Sequence, residues 1–155
     1  MTTILLPVKP CYAATIMNGS KQYEYRKRKA KKYPGRILFY VTRPVGEIIG
    51  EAEVTGILED TPPALWWQTH DKAGMSLQAY ETYFKGCKTG VAYKLAHVTR
   101  WETPRSLADY GLAHAPQNFV YVEDDRPLTF SESLHLAVEQ VAEEYPNTFK
   151  LLADA

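Results

Sequence analysis

The chain has 155 residues, of which 45% are hydrophobic and 23% charged, with 18 Lys/Arg against 18 Asp/Glu. That composition excludes a disordered polymer and suffices for one domain with a buried core. No apolar run approaches the length of a membrane-spanning helix, and residues 1–7 have no basic leader, so a cytoplasmic protein with no membrane partner is expected. Cys11 and Cys87 form no metal-ligand spacing and no disulfide framework. His70, His97, His114 and His135 are too scattered to suggest a metal site, and no cofactor-binding glycine loop is present.

In chain order, residues 4–8 read as a short strand. Pro10 suits the first turn of a helix that continues through Ala13-Ala14-Thr15-Ile16-Met17 and stops at Asn18-Gly19. Residues 21–26 alternate with period two. Tyr23 and Tyr25 face one way and Glu24 and Arg26 the other, so Lys21 joins the charged pair only if the turn after Gly19 distorts the strand's start. Pro34-Gly35 is a turn, and residues 36–42 form an almost continuous apolar strand of central character. Residues 47–58 make a long strand in which Gly50 or Gly56 marks a bulge. A helical patch with Leu65, Trp66 and Trp67 follows Pro62-Pro63, and Ser76 is a candidate N-cap for a helix over 77–84 that Gly86 stops.

Residues 89–98 return to strand character, 103–107 read as a connector with a helical turn, and 119–122 as a last short strand. A terminal amphipathic helix is expected from Ser131 to Pro146. Strands separated by turn-sized gaps disfavour a doubly wound parallel sheet. They argue for a small α+β barrel of about five to six strands, with a helix after the first strand, a helical insertion and a C-terminal helix. The expected division is a domain over 1–122 and an acidic, mostly helical extension over 123–155, where eight acids meet only Arg126 and Lys150.

Charge is concentrated at the other end. Residues 21–36 carry eight Lys/Arg and one acid, although the whole chain is formally neutral. A surface that meets phosphates uses such a density, while a solvated loop has no need of it. Tyr23, Tyr25, Tyr33 and Tyr40 lie close enough in sequence to offer stacking faces to single-stranded bases.

The run Lys9-Pro10-Cys11-Tyr12-Ala13…Ile16…Gly19-Ser20-Lys21-Gln22-Tyr23-Glu24-Tyr25-Arg26 resembles the signature of ASCH domains, members of the PUA-like superfamily. Their hallmark Gly-x-Lys-x-x-Glu-x-Arg is met at Gly19, Lys21, Glu24 and Arg26. Three later pieces agree in order: Tyr40-Val41-Thr42-Arg43-Pro44-Val45 with Ile49-Gly50-Glu51, the stretch from Trp66 to Phe84, and Pro116-Gln117-Asn118-Phe119-Val120-Tyr121, which is similar to a bacterial and phage-associated branch. The likeness covers residues 4–122. It implies a PUA-like β-barrel with a cleft beside the Gly-x-Lys turn. It also implies RNA or a modified nucleotide or nucleoside as partner, and hydrolase activity in some members, either on N4-acetylcytidine or on RNA.

Lys21 and Glu24 are the catalytic candidates if the chain is an enzyme. Lys21 has three roles open to it: a desolvated base, a charged phosphate holder, or a mere ion-pair partner of Glu24. The ligand candidates are Lys9, Tyr12, Lys21, Glu24 and Arg26 around the turn, Lys27 and Arg28 for the phosphate backbone, Tyr40 as a stacking face, and Thr42, Arg43, Gln117 and Asn118, with Tyr12, for the cleft wall. The deacetylating branch carries a threonine where this chain has Glu24, and a catalytic glutamate where the nearest match is Ala73, beside Asp71. Both departures weigh against that chemistry. A rival reading is a protein-interaction module whose acidic terminal helix docks on a partner or on the basic loop.

Overall fold

The structure, a computed structural model, describes residues 1–123. The terminal helix and nearly all of the acidic extension expected from the sequence lie outside these residues. The element order is β1 (Thr3–Val8), α1 (Pro10–Met17), β2 (Tyr23–Arg26), β3 (Arg36–Val41), β4 (Glu47–Asp60), α2 (Pro62–Thr69), α3 (Leu77–Phe84), β5 (Gly90–Arg105) and β6 (Val120–Val122). A 3-10 turn at His70–Lys72 joins α2 to α3, and another at Leu107–Tyr110 follows β5. Among the described residues no helix is long and apolar enough to cross a membrane.

The six strands form one sheet in the order β2-β5-β4-β3-β1-β6. β1 and β3 pair in parallel, from Thr3↔Arg36 to Val8↔Val41, which requires the crossover that α1 and β2 supply. Every residue of β3 is buried because both faces of this central strand are covered. Ile37, Phe39 and Val41 join Ile4, Leu6, Ala13 and Ile16 in the core beneath α1. Leu38 and Tyr40 pack on the other face with Leu5 and Ile48. Each such fully buried side chain contributes about 1.5–3 kcal/mol relative to exposure.

The α+β class, the early helix and the helical insertion are those the sequence predicts. The barrel is not closed by hydrogen bonds, because β2 and β6 remain the two edges of the sheet. Side chains and a loop span the gap instead. Arg26 of β2 donates to the carbonyls of Pro7 (2.9 Å) and Asn118 (3.3 Å). The basic loop after β2 is pinned across the same seam where Ala30 N donates to Tyr93 Oη (2.9 Å) and Lys32 N to Tyr121 Oη (3.0 Å).

The last strand of the long hairpin extends further than expected. Residues 103–105 continue β5, with Ile48 opposite Arg105, rather than forming a connector. Pro104 is tolerated because the ladder is already irregular between the Ile48 and Gly50 pairings. Two of the three register shifts of this ladder fall at the glycines marked from the sequence, and the third lies between the Glu51 and Glu53 pairings. At Gly50 the reason is steric, since a Cβ there would lie 3.1 Å from Arg100 Cα. The β4–β5 hairpin carries α2 and α3 at its far end, where they cover Tyr25 and Ala92.

Candidate functional site

Pro10 begins α1 with a proline whose missing N–H costs nothing at that position. The helix ends at Asn18, and Gly19 takes φ +85° to turn the chain back. Lys21 therefore precedes β2, which starts only at Tyr23. Its own N–H is tied to Thr15 O (2.9 Å). Released from the strand's alternation, Lys21 lines the same cavity as Glu24 and Arg26, whose charges both act on its ammonium.

The insertion then seals Lys21 in. Gln22 N donates to Lys72 O (2.8 Å), and Lys21 Nζ donates to Ala73 O (2.8 Å). Gly74, at φ +63°, passes so close that a Cβ would lie 2.8 Å from Lys21 Cα. Lys21 is only 3% exposed. Its ammonium sits 5.3 Å from the centre of the Tyr12 ring and 4.8 Å from that of Tyr25. Burial pushes its pKa below the ordinary lysine value, Glu24 opposes that shift, and Arg26 adds to it.

Glu24 is 7% exposed. Its Oε1 accepts from Arg26 Nη2 at 3.0 Å. Its Oε2, like Arg26 Nε, is buried without a hydrogen-bond partner among the described residues. With all three groups ionised the trio carries one net positive charge, largely desolvated, at the floor of a cleft of about 580 Å³. Pro7, Val8, Lys9 and Tyr12 form one wall of that cleft. Met75, Ser76, Gln78, Ala79, Thr82 and Tyr83 form the other. The volume suits one nucleotide-sized ligand.

The cleft thus brings together Lys9, Tyr12, Lys21, Glu24 and Arg26 of the sequence candidates. Lys27 stands beside it, with Nζ 5.0 Å from the centre of the Tyr83 ring. Arg28 is exposed on the loop beyond. Tyr40 is placed elsewhere: it is buried on the opposite face of the sheet, because the alternation of β3 sends it away from Phe39 and Val41. Thr42 and Arg43 occupy the turn after β3 and do not line the cleft, although Thr42 N donates to Val8 O (3.0 Å). Gln117 and Asn118 are exposed, and Asn118 contributes its backbone carbonyl to Arg26 rather than its amide to the cleft.

Sequence reasoning missed the wall from α3. Ser76 caps that helix by accepting from Ala79 N (3.1 Å), as its position suggested. The spacing of Met75, Ala79, Thr82 and Tyr83 was a legible i, i+4 pattern, but only the fold says which face meets Lys21. Tyr25 anchors the floor, with its hydroxyl 2.7 Å from Thr69 Oγ1 and its ring edge-on to Tyr80. Burial pushes its pKa to about 12.

Where the deacetylating branch would place a carboxylate, this chain offers the carbonyl of Ala73 to Lys21. The nearby Asp71 is exposed and pairs with His70 at 3.1 Å.

The ASCH domain profile matches residues 6–105. The chain belongs to the ASCH domain family. It is 34% identical over 87 residues to an ASCH domain-containing ribonuclease of Zymomonas mobilis, a match covering 56% of this chain. That match spans 59% of the relative's length. The crystal structure of ASCH from Zymomonas mobilis superposes with a TM-score of 0.70 at 26% identity, covering 87% of this chain and 93% of that one. A point variant of that protein gives a TM-score of 0.71 at 25% identity, covering 88% and 97%.

Proposed function

We propose that this ASCH domain binds RNA, seating one nucleotide in the cleft above Lys21, Glu24 and Arg26. The observation that carries the reading is a buried polar cluster left under-satisfied at the floor of an open cavity. Lys21 has one neutral acceptor, Glu24 one unpaired oxygen and Arg26 one unpaired N–H. Burying such groups without partners costs free energy, and a ligand that supplies the missing contacts recovers it. The net positive charge favours an anionic ligand, and Tyr12 and Tyr83 at the rim offer aromatic faces to a base. Kinship with a protein named as a ribonuclease favours RNA over other anions.

Binding of a labelled RNA tetranucleotide to the wild-type chain and to Lys21→Met tests the reading. A large loss of affinity in a folded variant is expected, and equal affinities would refute the proposal.

A second reading, cleavage of the bound strand, is favoured by one further observation: Glu24 keeps a free carboxylate oxygen close to a lysine whose pKa burial has lowered. In that scheme Glu24 takes the proton of a ribose 2′-hydroxyl, and the resulting oxygen attacks the adjacent phosphorus. The P–O5′ bond then breaks as Lys21 gives a proton to the departing 5′-oxygen. The products are a 2′,3′-cyclic phosphate and a free 5′-hydroxyl. The cyclic end is the readout. Loss of its formation in Glu24→Gln, with binding retained, supports the scheme, and RNA that stays intact with the wild-type chain excludes it. Deacetylation of N4-acetylcytidine is disfavoured by Glu24 and by the carbonyl at Ala73.

A further inference from the structure

The basic loop after β2 does not project freely. It is bonded to Tyr93 and Tyr121 across the gap between the two edges of the sheet. It starts at the cleft, where Lys27 stands over Tyr83, and it reaches β6, where Lys32 Nζ lies 5.6 Å from the centre of the Tyr121 ring. The pairing of β1 with β6 gives the length of this path. Ile4 lies opposite Tyr121, and Arg26 bridges the carbonyls of Pro7 and Asn118 at the cleft end. Pro7 lies three residue steps along β1 from Ile4, which is roughly 10 Å at about 3.3 Å per residue. Tyr121 is 39% exposed, and a second aromatic ring, Phe119, braces it edge-on at 5.5 Å.

We propose that this seam is a second, contiguous RNA subsite: a single strand leaves the cleft past Lys27 and runs along the strapped seam to Tyr121. There a base stacks on the tyrosine, and Lys32 takes the adjoining phosphate. The proposal rests on the cleft reading above and extends it to a defined ligand length. At about 3.4 Å per stacked nucleotide, the seam spans about three nucleotides beyond the one in the cleft. The ligand is therefore single-stranded RNA of about four nucleotides, the lower end of the range for aromatic-and-basic surfaces of this kind. Stacking on one exposed tyrosine, with ammonium groups spaced along a loop, makes the subsite tolerant of sequence.

The test is equilibrium binding of AMP and of oligoadenylates two to eight nucleotides long, with strand integrity checked on gels. The chains compared are wild type, Lys21→Met, Lys32→Ala, Tyr121→Leu and Tyr121→Phe. Affinity is expected to rise with length to about four nucleotides and then to level off. Tyr121→Leu should weaken tetranucleotide binding on the order of 5- to 150-fold while leaving AMP binding unchanged. Lys32→Ala should lower the salt slope by about 0.7. Tyr121→Phe keeps the ring but removes the acceptor for Lys32 N, so it separates stacking from bracing of the strap. It is expected to retain most of the length gain. AMP binding that depends on Lys21, with no gain on lengthening or a gain indifferent to Tyr121 and Lys32, would overturn the seam proposal and leave the cleft standing. No binding of AMP or of any oligonucleotide would overturn both.

Discussion

Replacing Lys21 with methionine separates a lysine retained for a ligand from one retained for the fold. The side chains are of similar length, so the packing between Tyr12 and Tyr25 is largely kept. The variant forfeits the charged hydrogen bond to Ala73 O, 2.8 Å long, worth about 1.5–3 kcal/mol. It also removes the desolvation cost of an ammonium that is 3% exposed, a penalty of several kcal/mol for a buried ion. Glu24 is not stranded, because Arg26 still holds it at 3.0 Å. The two effects nearly offset, so urea melts are expected to differ from wild type by no more than about 1 kcal/mol. RNA affinity should meanwhile fall roughly 10- to 150-fold, the loss of one charged contact. The opposite pattern, a stability loss of about 3–5 kcal/mol with unchanged affinity per folded molecule, is that of a structural ion pair and would refute the reasoning.

Arg26→Gln removes the donors to Pro7 O and Asn118 O and leaves Glu24 with a weaker partner. It should destabilise the domain by about 2–4 kcal/mol in urea titration, and adding Glu24→Gln should recover part of that loss. Gly74→Ala puts a Cβ against the Lys21 backbone at a positive φ, so a cost above the roughly 1–2 kcal/mol of the backbone conformation alone, and weaker tetranucleotide binding, are expected. Stability should also depend on alkaline pH in two opposed ways. Lys21 has a lowered pKa in the folded chain, so its burial penalty is relieved as pH rises toward the unfolded value of 10.5, a gain that Lys21→Met should lack. Tyr25 has a raised pKa, about 12, so the stability it lends below pH 10 is lost as pH rises from 10 toward 12. Thermal melts from pH 8 to pH 12 read both effects, and melting temperatures that fail to fall above pH 10 would contradict the burial of that ring.

Much of the fold was legible because the local signals agree with one another. Pro10 and Gly19 bracket α1, Ser76 and Gly86 bracket α3, and the unbroken apolar run of β3 marks a strand covered on both faces. Arg105 was misjudged because Thr103-Pro104 reads as a loop, whereas pairing with Ile48 holds those residues in β5. The motif side of the cleft was legible for a similar reason, since Lys21, Glu24 and Arg26 lie within one short segment. Tyr40 was counted as a stacking face by closeness in sequence, which a period-two strand defeats. The α3 wall was hidden because residues 75–83 reach Lys21 only through the long β4–β5 hairpin, a contact no local pattern encodes.

The central claim is tested most directly by following the ammonium of Lys21 itself, in ¹⁵N-lysine-labelled protein, as an RNA tetranucleotide is added. A large, saturable change at Lys21 Nζ, abolished in Lys21→Met and matched by changes in the Tyr12 and Tyr83 rings, is the predicted result. A Lys21 signal that stays fixed while RNA binds would place the ligand elsewhere and contradict the account.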